Sequence, residues 1–513
     1  MNDRQFLRRD IAVSVRFDDR TRFGSPIAQR ADESTRQIFR HVIERIRAQG
    51  PSALAHEAAD LAREALDGDD FGEIVARRDG RGWTLKDEIL YPDPDLAQPM
   101  AIVFTPAGAR PSFLAQISVA DWPQIRGLVA DLRSCGVLAT ELGSCPAARA
   151  CLNGLVRGGL AAPRRAHPKP IRPPASPSTT HCAPLTFVGH NTVVVRAGDD
   201  AIMLDPYLFP VSPENPDRYQ PLDMFDVGPI SIAAITHSHP DHFDPGSLLQ
   251  LGRDTTIVVP PVGRESLLAV DMERRLHQLG FESVRTLSWG ESITVGALEL
   301  HALPFYGEQP TDGRYMHCEE VANSGNTYVV RTPDFAAAFL ADSGRDHRGD
   351  SRLVAEQWQH EHGAVDLVFS GYRGWSTYPG QLLMSSVARG ALLVPREQWR
   401  SRQRIMNDAD DAIDVAERFG ARWLVPYGDG GAPWHWRIGL GPALEGSEAE
   451  DPDFDPLPQR VAAVAGERVR GPNGIAGSAV EVAVVRPGHG IVPGEQLDVV
   501  EVGGRHWPFA PLG

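Results

Sequence analysis

The segment Thr236-His237-Ser238-His239-Pro240-Asp241-His242-Phe243-Asp244 constrains this chain more than any other. Three histidines and a carboxylate follow one another in the order H-x-H-x-D-H. Imidazole and carboxylate are donors that zinc, iron and manganese all accept. A short loop leaving a strand can turn His237 and His239 towards one ion, and Asp241 and His242 towards a second beside it. The preceding run, Ile230-Ser231-Ile232-Ala233-Ala234-Ile235, is apolar and rich in isoleucine. It predicts a buried strand that ends at the ligand loop. Surface histidines cluster by chance, but rarely with four ligand types at this spacing behind a buried strand.

Composition bounds the rest. A length of 513 residues leaves room for two or three domains. With 42% hydrophobic and 23% charged residues, the chain has the make-up of an ordinary globular protein. Its formal net charge of −16 argues against RNA or DNA as partner, since such binding rests on clustered Lys and Arg. No apolar run approaches the roughly 20 residues of a membrane helix, so no membrane association is expected. The first residues are charged, and Arg8-Arg9 is followed at once by Asp10. A secretion signal is not expected there, and the cytosol is the expected compartment. Cys135, Cys145, Cys151, Cys182 and Cys318 lack C-x-x-C spacing and read as free thiols.

Three segments follow from pattern. Residues 1–162 read as a smaller mixed α/β domain. Ser34 suits the N-cap of a helix carrying Ile38, Phe39, Val42, Ile43 and Ile46, and a second helix is expected over Ala53–Leu66. Trp83–Leu85 and Met100–Phe104 look like strands, and Ala147–Leu160 like a helix closed by glycines. Dimerisation or partner docking is the expected role of this region. Residues 163–182 are rich in proline, which denies both helix and sheet ladders, and read as an extended linker. Residues 183–513 read as the catalytic domain. It opens with short strands at Leu185–Val188, Thr192–Arg196 and Ala201–Leu204, and closes with a strand-like Val480–Arg486 before Pro487-Gly488-His489-Gly490.

The H-x-H-x-D-H of His237, His239, Asp241 and His242 resembles the signature of the metallo-β-lactamase superfamily, over a stretch from near Pro184 to near Leu440. The resemblance implies an αββα sandwich and a dinuclear metal site. It does not imply one reaction, because such folds host hydrolases, oxidoreductases and oxygenases. It also implies a bridging carboxylate at a strand end. Asp342, in Phe339-Leu340-Ala341-Asp342-Ser343-Gly344, stands in that context; an Asx-type turn is the structural alternative. Where the superfamily places a histidine for the first metal, after the strand Leu298–Leu303, this chain offers Glu308, with His317 as second choice. His301 lies too early, inside the strand. The late strand Arg422–Tyr427 leads to Gly428, where the superfamily carries another histidine. His435 is the choice for that last ligand and Asp429 the runner-up. Asp205 and Asp244 are candidates for fixing the ligating imidazoles, though Asp205 before Pro206 equally suits a turn. His190 ends a strand on the same side and is expected to line the pocket. Tyr306, Tyr372 and Trp375 are cavity candidates that serve as readily in a core.

A carboxylate in place of an imidazole makes the site harder and more anionic, which favours iron or manganese relative to zinc. The glutamate exchange resembles a di-iron β-hydroxylase subgroup of the superfamily, typified by a hydroxylase of chloramphenicol biosynthesis. That resemblance implies two iron ions, O2 as co-substrate, a reductase and an amino acid held on a carrier protein. Asp241 and Glu308 are the carboxylates expected to serve the chemistry. The alternative is a zinc or manganese hydrolase of an ester, lactone, amide or phosphodiester, in which a metal-bridging hydroxide attacks.

Overall fold

A computed structural model of the chain describes residues 3–17, 76–79, 82–85, 98–106, 112–163 without 144, 183–307 without 209, 211–220, 240 and 267–268, then 322–374, 406–428, 458–469 and 480–501. The expected helices over 34–46 and 53–66 and most of the proline-rich linker lie outside the described residues.

Two large sheets face each other. The first runs, in spatial order, Val284–Thr286, Thr256–Val259, Ile232–Ala234, Asp200–Leu204, Thr192–Ala197, Leu185–Gly189, His489–Val492 and Asp498–Glu501. The second runs Ser292–Val295, Leu298–Pro304, Asn326–Arg331, Ala336–Phe339, Leu367–Ser370, Trp423–Pro426 and Glu481–Val482. Alternation explains why they stack. In Leu298-Glu299-Leu300-His301-Ala302 the odd-placed apolar side chains are buried between the sheets, while Glu299 and His301 point away. The inner core joins Phe187, Val193, Val195, Ile202 and Leu204 to Leu300, Tyr328, Val330, Phe339 and Phe369. Phe339 and Phe369 stack with ring centroids 4.9 Å apart. His301 sits on the outer face against Trp358 and His362, far from any ligand role.

Both outer faces are covered, which gives the αββα sandwich. Val329, Ala338, Leu340, Val368 and Leu424 of the second sheet pack against the helices Ser351–His362, Ala409–Arg418 and Gln459–Val469. Tyr372 is buried in this same core, so it is a packing residue and not a cavity wall. Trp375 lies outside the described residues. The expected terminal strand over 480–486 is shorter than its pattern suggested. Glu481–Val482 joins the second sheet, the chain turns at Pro487-Gly488, and His489–Val492 enters the first sheet beside Leu185–Gly189. Gly488 sits at φ 91°, a left-handed conformation that glycine takes without steric cost, and its N–H donates to the Phe187 carbonyl at 2.7 Å.

The N-terminal elements cover the first sheet. They comprise the antiparallel strands Ile11–Phe17, Pro99–Pro106 and Phe113–Gln116 and the helices Trp122–Arg133 and Pro146–Arg157. The expected strands at 83–85 and 100–104 lie within observed strands, and the expected helix over 147–160 is observed as Pro146–Arg157, ending before Gly158 and Gly159. Ile125, Leu128 and Leu132 share one continuous core with Val194, Met203, Ile257 and Val259. Buried Arg126 donates to the carbonyls of Gly252 and Arg253, and Arg9 pairs with Asp223 and Asp226. The N-terminal layer is thus fused to the sandwich through apolar packing and charge-assisted bonds. Among the described residues no helix is long and apolar enough to cross a membrane.

Candidate metal centre

The ligand loop begins where the buried strand Ile232–Ala234 ends. That strand lies parallel between Asp200–Leu204 and Thr256–Val259. Sandwiched strands with carboxyl ends on one edge deliver their following loops to the same place. Asp205 therefore emerges beside Thr236, accepting its N–H and its hydroxyl, each at 2.7 Å. His242 Nδ1 lies 2.7 Å from the same carboxylate, and Thr236 Oγ1 lies 3.0 Å from His237 Nδ1. One buried carboxylate thus fixes two imidazoles, one directly and one through a hydroxyl. With Asp205 and the Thr236 hydroxyl as acceptors, both imidazoles would carry the proton on Nδ1, which makes Nε2 the ligating nitrogen.

The Nε2 atoms meet the remaining donors. His237 Nε2 lies 2.9 Å from His239 Nδ1, and 4.0 Å from Asp342 Oδ2. His242 Nε2 lies 3.2 Å from Asp342 Oδ2 and 3.7 Å from Asp241 Oδ2. Ligand atoms at about 2.1 Å from one ion stand about 3 Å apart when adjacent and about 4.2 Å apart when opposite. Two groups have spacings of that order: His237, His239 and Asp342, and His190, Asp241 and His242. Asp342 touches both. The donor set, three carboxylate or imidazole groups at each of two adjoining positions in a buried pocket, fits two divalent cations.

Electrostatics agree. Burial alone would lower His242, but Asp205, Asp241 and Asp342 around it raise its pKa well above the usual imidazole value. Burial would raise Asp342, yet His242 and His237 pull it down to about 2. Asp241 is likewise held well below the carboxylate range, by His242 and by its bond from His190, against the effect of burial. A pocket that would hold a proton so firmly on a buried histidine is one that attracts cations.

Backbone strain is concentrated here. Among the described residues, the non-glycine residues at positive φ are His190 (53°), Asp205 (40°) and Ala341 (47°). Each ends a strand and adjoins a candidate ligand or is one. Such conformations cost of order 1–2 kcal/mol and persist where surrounding structure enforces them. For Ala341 the enforcement is visible: its N–H donates to the Tyr427 hydroxyl at 2.8 Å, and its carbonyl accepts from Gly371 at 3.0 Å.

The candidates read from sequence divide accordingly. His237, His239, Asp241, His242 and Asp342 come together. Asp205 lies with them, its carboxylate 2.7 Å from His242 Nδ1 and from the Thr236 hydroxyl. His190, expected as pocket lining, stands in the ligand group itself, 3.0 Å from Asp241. Asp244 differs from expectation. Its carboxylate accepts from the N–H groups of Gly246 and Ser247 and caps the helix Pro245–Leu248, so it orients no imidazole. The signal was local: Asp before Pro-Gly-Ser is a capping pattern. Tyr306 braces the loop of Asp342, its carbonyl accepting from Gly344 at 2.6 Å, and its ring meets Trp289 edge-on. Glu308, His317, Asp429 and His435 lie outside the described residues. Sequence reading missed Thr236, visible next to His237, and Phe305, whose ring lies 5.0 Å from that of His237. It also missed Asn191, fully buried with Nδ2 3.3 Å from His242 Nε2.

Comparison with known proteins places this geometry. A family model described as β-lactamase superfamily domain matches residues 201–427. The 4-amino-L-phenylalanyl-(CmlP-peptidyl-carrier-protein) 3-hydroxylase of Streptomyces venezuelae is 30% identical over 241 residues, which are 46% of this chain and 42% of that one. A protein of Mycolicibacterium smegmatis named for a Rieske 2Fe-2S centre is 26% identical over 252 residues, 47% of this chain and 42% of its own. The matches span about two-fifths of the length of these curated relatives. Among solved structures, CmlA, a diiron β-hydroxylase from Streptomyces venezuelae, superposes with a TM-score of 0.60 at 17% identity, covering 98% of this chain and 100% of that one. That likeness extends the shared fold through the N-terminal layer. Residues 201–427, which carry the ligand loop and Asp342, thus match the β-lactamase superfamily domain, and the chain shares the fold of CmlA.

Proposed function

We propose that this protein is a non-haem di-iron oxygenase that hydroxylates an amino acid or similar biosynthetic intermediate, held as a thioester on a carrier protein or free. The observation that carries the reading is the 30% identity to a carrier-protein amino-acid hydroxylase over a stretch of 241 residues. The His/carboxylate donor set and the choice of Glu308 where an imidazole would make the site softer support iron over zinc or manganese.

On this reading His237, His239, Glu308 and Asp342 would hold one ion, and Asp241, His242 and Asp342 would hold the other. Bound iron supplies the activation of O2 that carbon–hydrogen hydroxylation needs. One oxygen atom enters the C–H bond and the other leaves as water, so two electrons must come from an external donor, a reductase protein. The chain's own work is placement. Asp205 and Thr236 lock the imidazole tautomers, Phe305 walls the His237 ring from solvent, and Tyr306 anchors the loop of Asp342. The N-terminal layer is the surface proposed for the carrier protein or for a second copy, in a cytosolic setting.

Metal content tests this first. Protein purified from cells supplied with iron and zinc is expected to hold about two irons per chain with a coupled Mössbauer signature. Given a reductant and an aminoacyl-carrier substrate, it should add one oxygen atom to the aminoacyl group, read by mass. Two zincs without iron, persisting under iron-rich growth, would return the chain to the hydrolases, with ester, lactone and phosphodiester substrates next.

A further inference from the structure

The resemblance implies a histidine near residue 428, just after the late strand, and the sequence candidates beyond it, Asp429 and His435, lie outside the described residues. Here Gly428 occupies that place, at φ 82°. The structure accounts for the vacancy in the sequence pattern. The Gly428 N–H donates to the His190 carbonyl at 3.1 Å, and a Cβ on Gly428 would come within 3.1 Å of Asn191 Oδ1. A side chain at 428 would start in tight contact with the Asn191 amide and from a backbone that L residues rarely adopt.

We infer that His190 is itself a ligand of the second metal, supplying an imidazole from the first sheet. Four observations converge. His190 Nε2 lies 3.0 Å from Asp241 Oδ2, and the donor atoms of His190, Asp241 and His242 lie within 4.8 Å of one another. The side chain is 2% exposed, so its imidazole faces the pocket and not solvent. Its ring stands 5.5 Å from that of His242, a separation that leaves room for one ion between the two nitrogens. Its backbone is held at φ 53°, a conformation a bulky residue adopts at a cost, which points to a role for the side chain at this position. Asn191, buried beside both Nε2 atoms, then packs the wall behind the ion.

The inference rests on the two-ion reading of the site, but not on iron or on oxygen chemistry. His190→Gly tests it, because glycine accepts the positive φ and removes the ring without straining the turn. Cadmium is the probe, loaded into the full chain and read by cadmium NMR, where each bound ion gives its own resonance. The unaltered protein should show two. In H190G the second-site resonance should move upfield as a nitrogen ligand is lost. Nitrogen-15 imidazole added to H190G should bring it back, now split by coupling to the labelled nitrogen. A hydrogen-bonding role alone gives no such coupling. Two resonances unchanged in H190G would overturn the inference and pass the ligand role to His435 or Asp429. A shifted resonance with no cadmium–nitrogen coupling would also overturn it, leaving His190 as a residue that positions Asp241. A single cadmium in the unaltered protein would refute the dinuclear reading itself.

Discussion

Asp205→Asn isolates how much of the metal affinity is stored in one buried carboxylate. Asp205 is 1% exposed and serves three donors: the Thr236 N–H, the Thr236 hydroxyl and His242 Nδ1, each at 2.7 Å. Asparagine keeps the shape and tolerates the positive φ, but one of its two polar atoms becomes a donor. Whichever way the amide turns, either Thr236 N–H or the His242–Thr236 pair meets an N–H group in place of an oxygen. Where the amide faces His242, its Nδ1 must accept, so the proton moves to Nε2 and the ligating lone pair is lost. Outer-shell partners of this kind cost about 10- to 100-fold in metal affinity when removed, which is about 1.4–2.7 kcal/mol. Both ions should weaken, since His237 hangs on the same carboxylate through Thr236. The assay is competition against a coloured chelator, with zinc as probe, at fixed pH and ionic strength. Affinity within about 2-fold of the unaltered protein at both positions would refute the reasoning, because the tautomers would then be fixed by something other than Asp205.

Three further outcomes are expected. Gly344→Ala places a Cβ 2.6 Å from the Met406 Cα and 2.7 Å from its carbonyl carbon; the overpacking should cost about 1–3 kcal/mol in urea unfolding and lower affinity at the Asp342 bridge, whereas an unchanged midpoint would mean that the 406–407 backbone gives way freely. Phe339→Ala, at a fully buried position stacked on Phe369, should cost about 3–5 kcal/mol, and a loss under about 1 kcal/mol would show the inner core to be loosely packed. His301 is lowered from 6.5 by burial, partly offset by Glu299. A folded value below the unfolded one contributes stability that is present above about pH 6.5 and lost as the pH falls towards the folded value. Metal-free protein should therefore lose stability over that range relative to His301→Phe, and parallel pH profiles of the two would contradict this.

The parts of the centre that sequence could reveal are those carried by neighbours in the chain. The isoleucine run and the H-x-H-x-D-H behind it follow from local chemistry: an apolar strand must be buried, and the loop that leaves it must place its ligands together. The same holds for Asp342 behind its apolar strand, and for the alternation of Leu298–Ala302 that turns His301 outwards. The capping role of Asp244 is equally local, in Asp-Pro-Gly-Ser.

What sequence could not decide depends on which strands lie side by side. His190 stands 47 residues before His237, and Asp205 31 residues before Thr236. Nothing in local pattern separates a ligand from a pocket wall at that distance. Pairing of Ile202–Leu204 with Ile232–Ala234, and of Thr192–Val195 with its neighbours, sets the strand ends level and brings both residues to the loop. The same packing sets the side chain of Asn191 against Gly428, near where the superfamily resemblance implies an imidazole. The loop that would hold metals, and the donor types it offers, are legible along the chain. Which distant carboxylate lies against the imidazoles, and which distant histidine stands beside them, follows from strand register, because register and not proximity along the chain brings these side chains together.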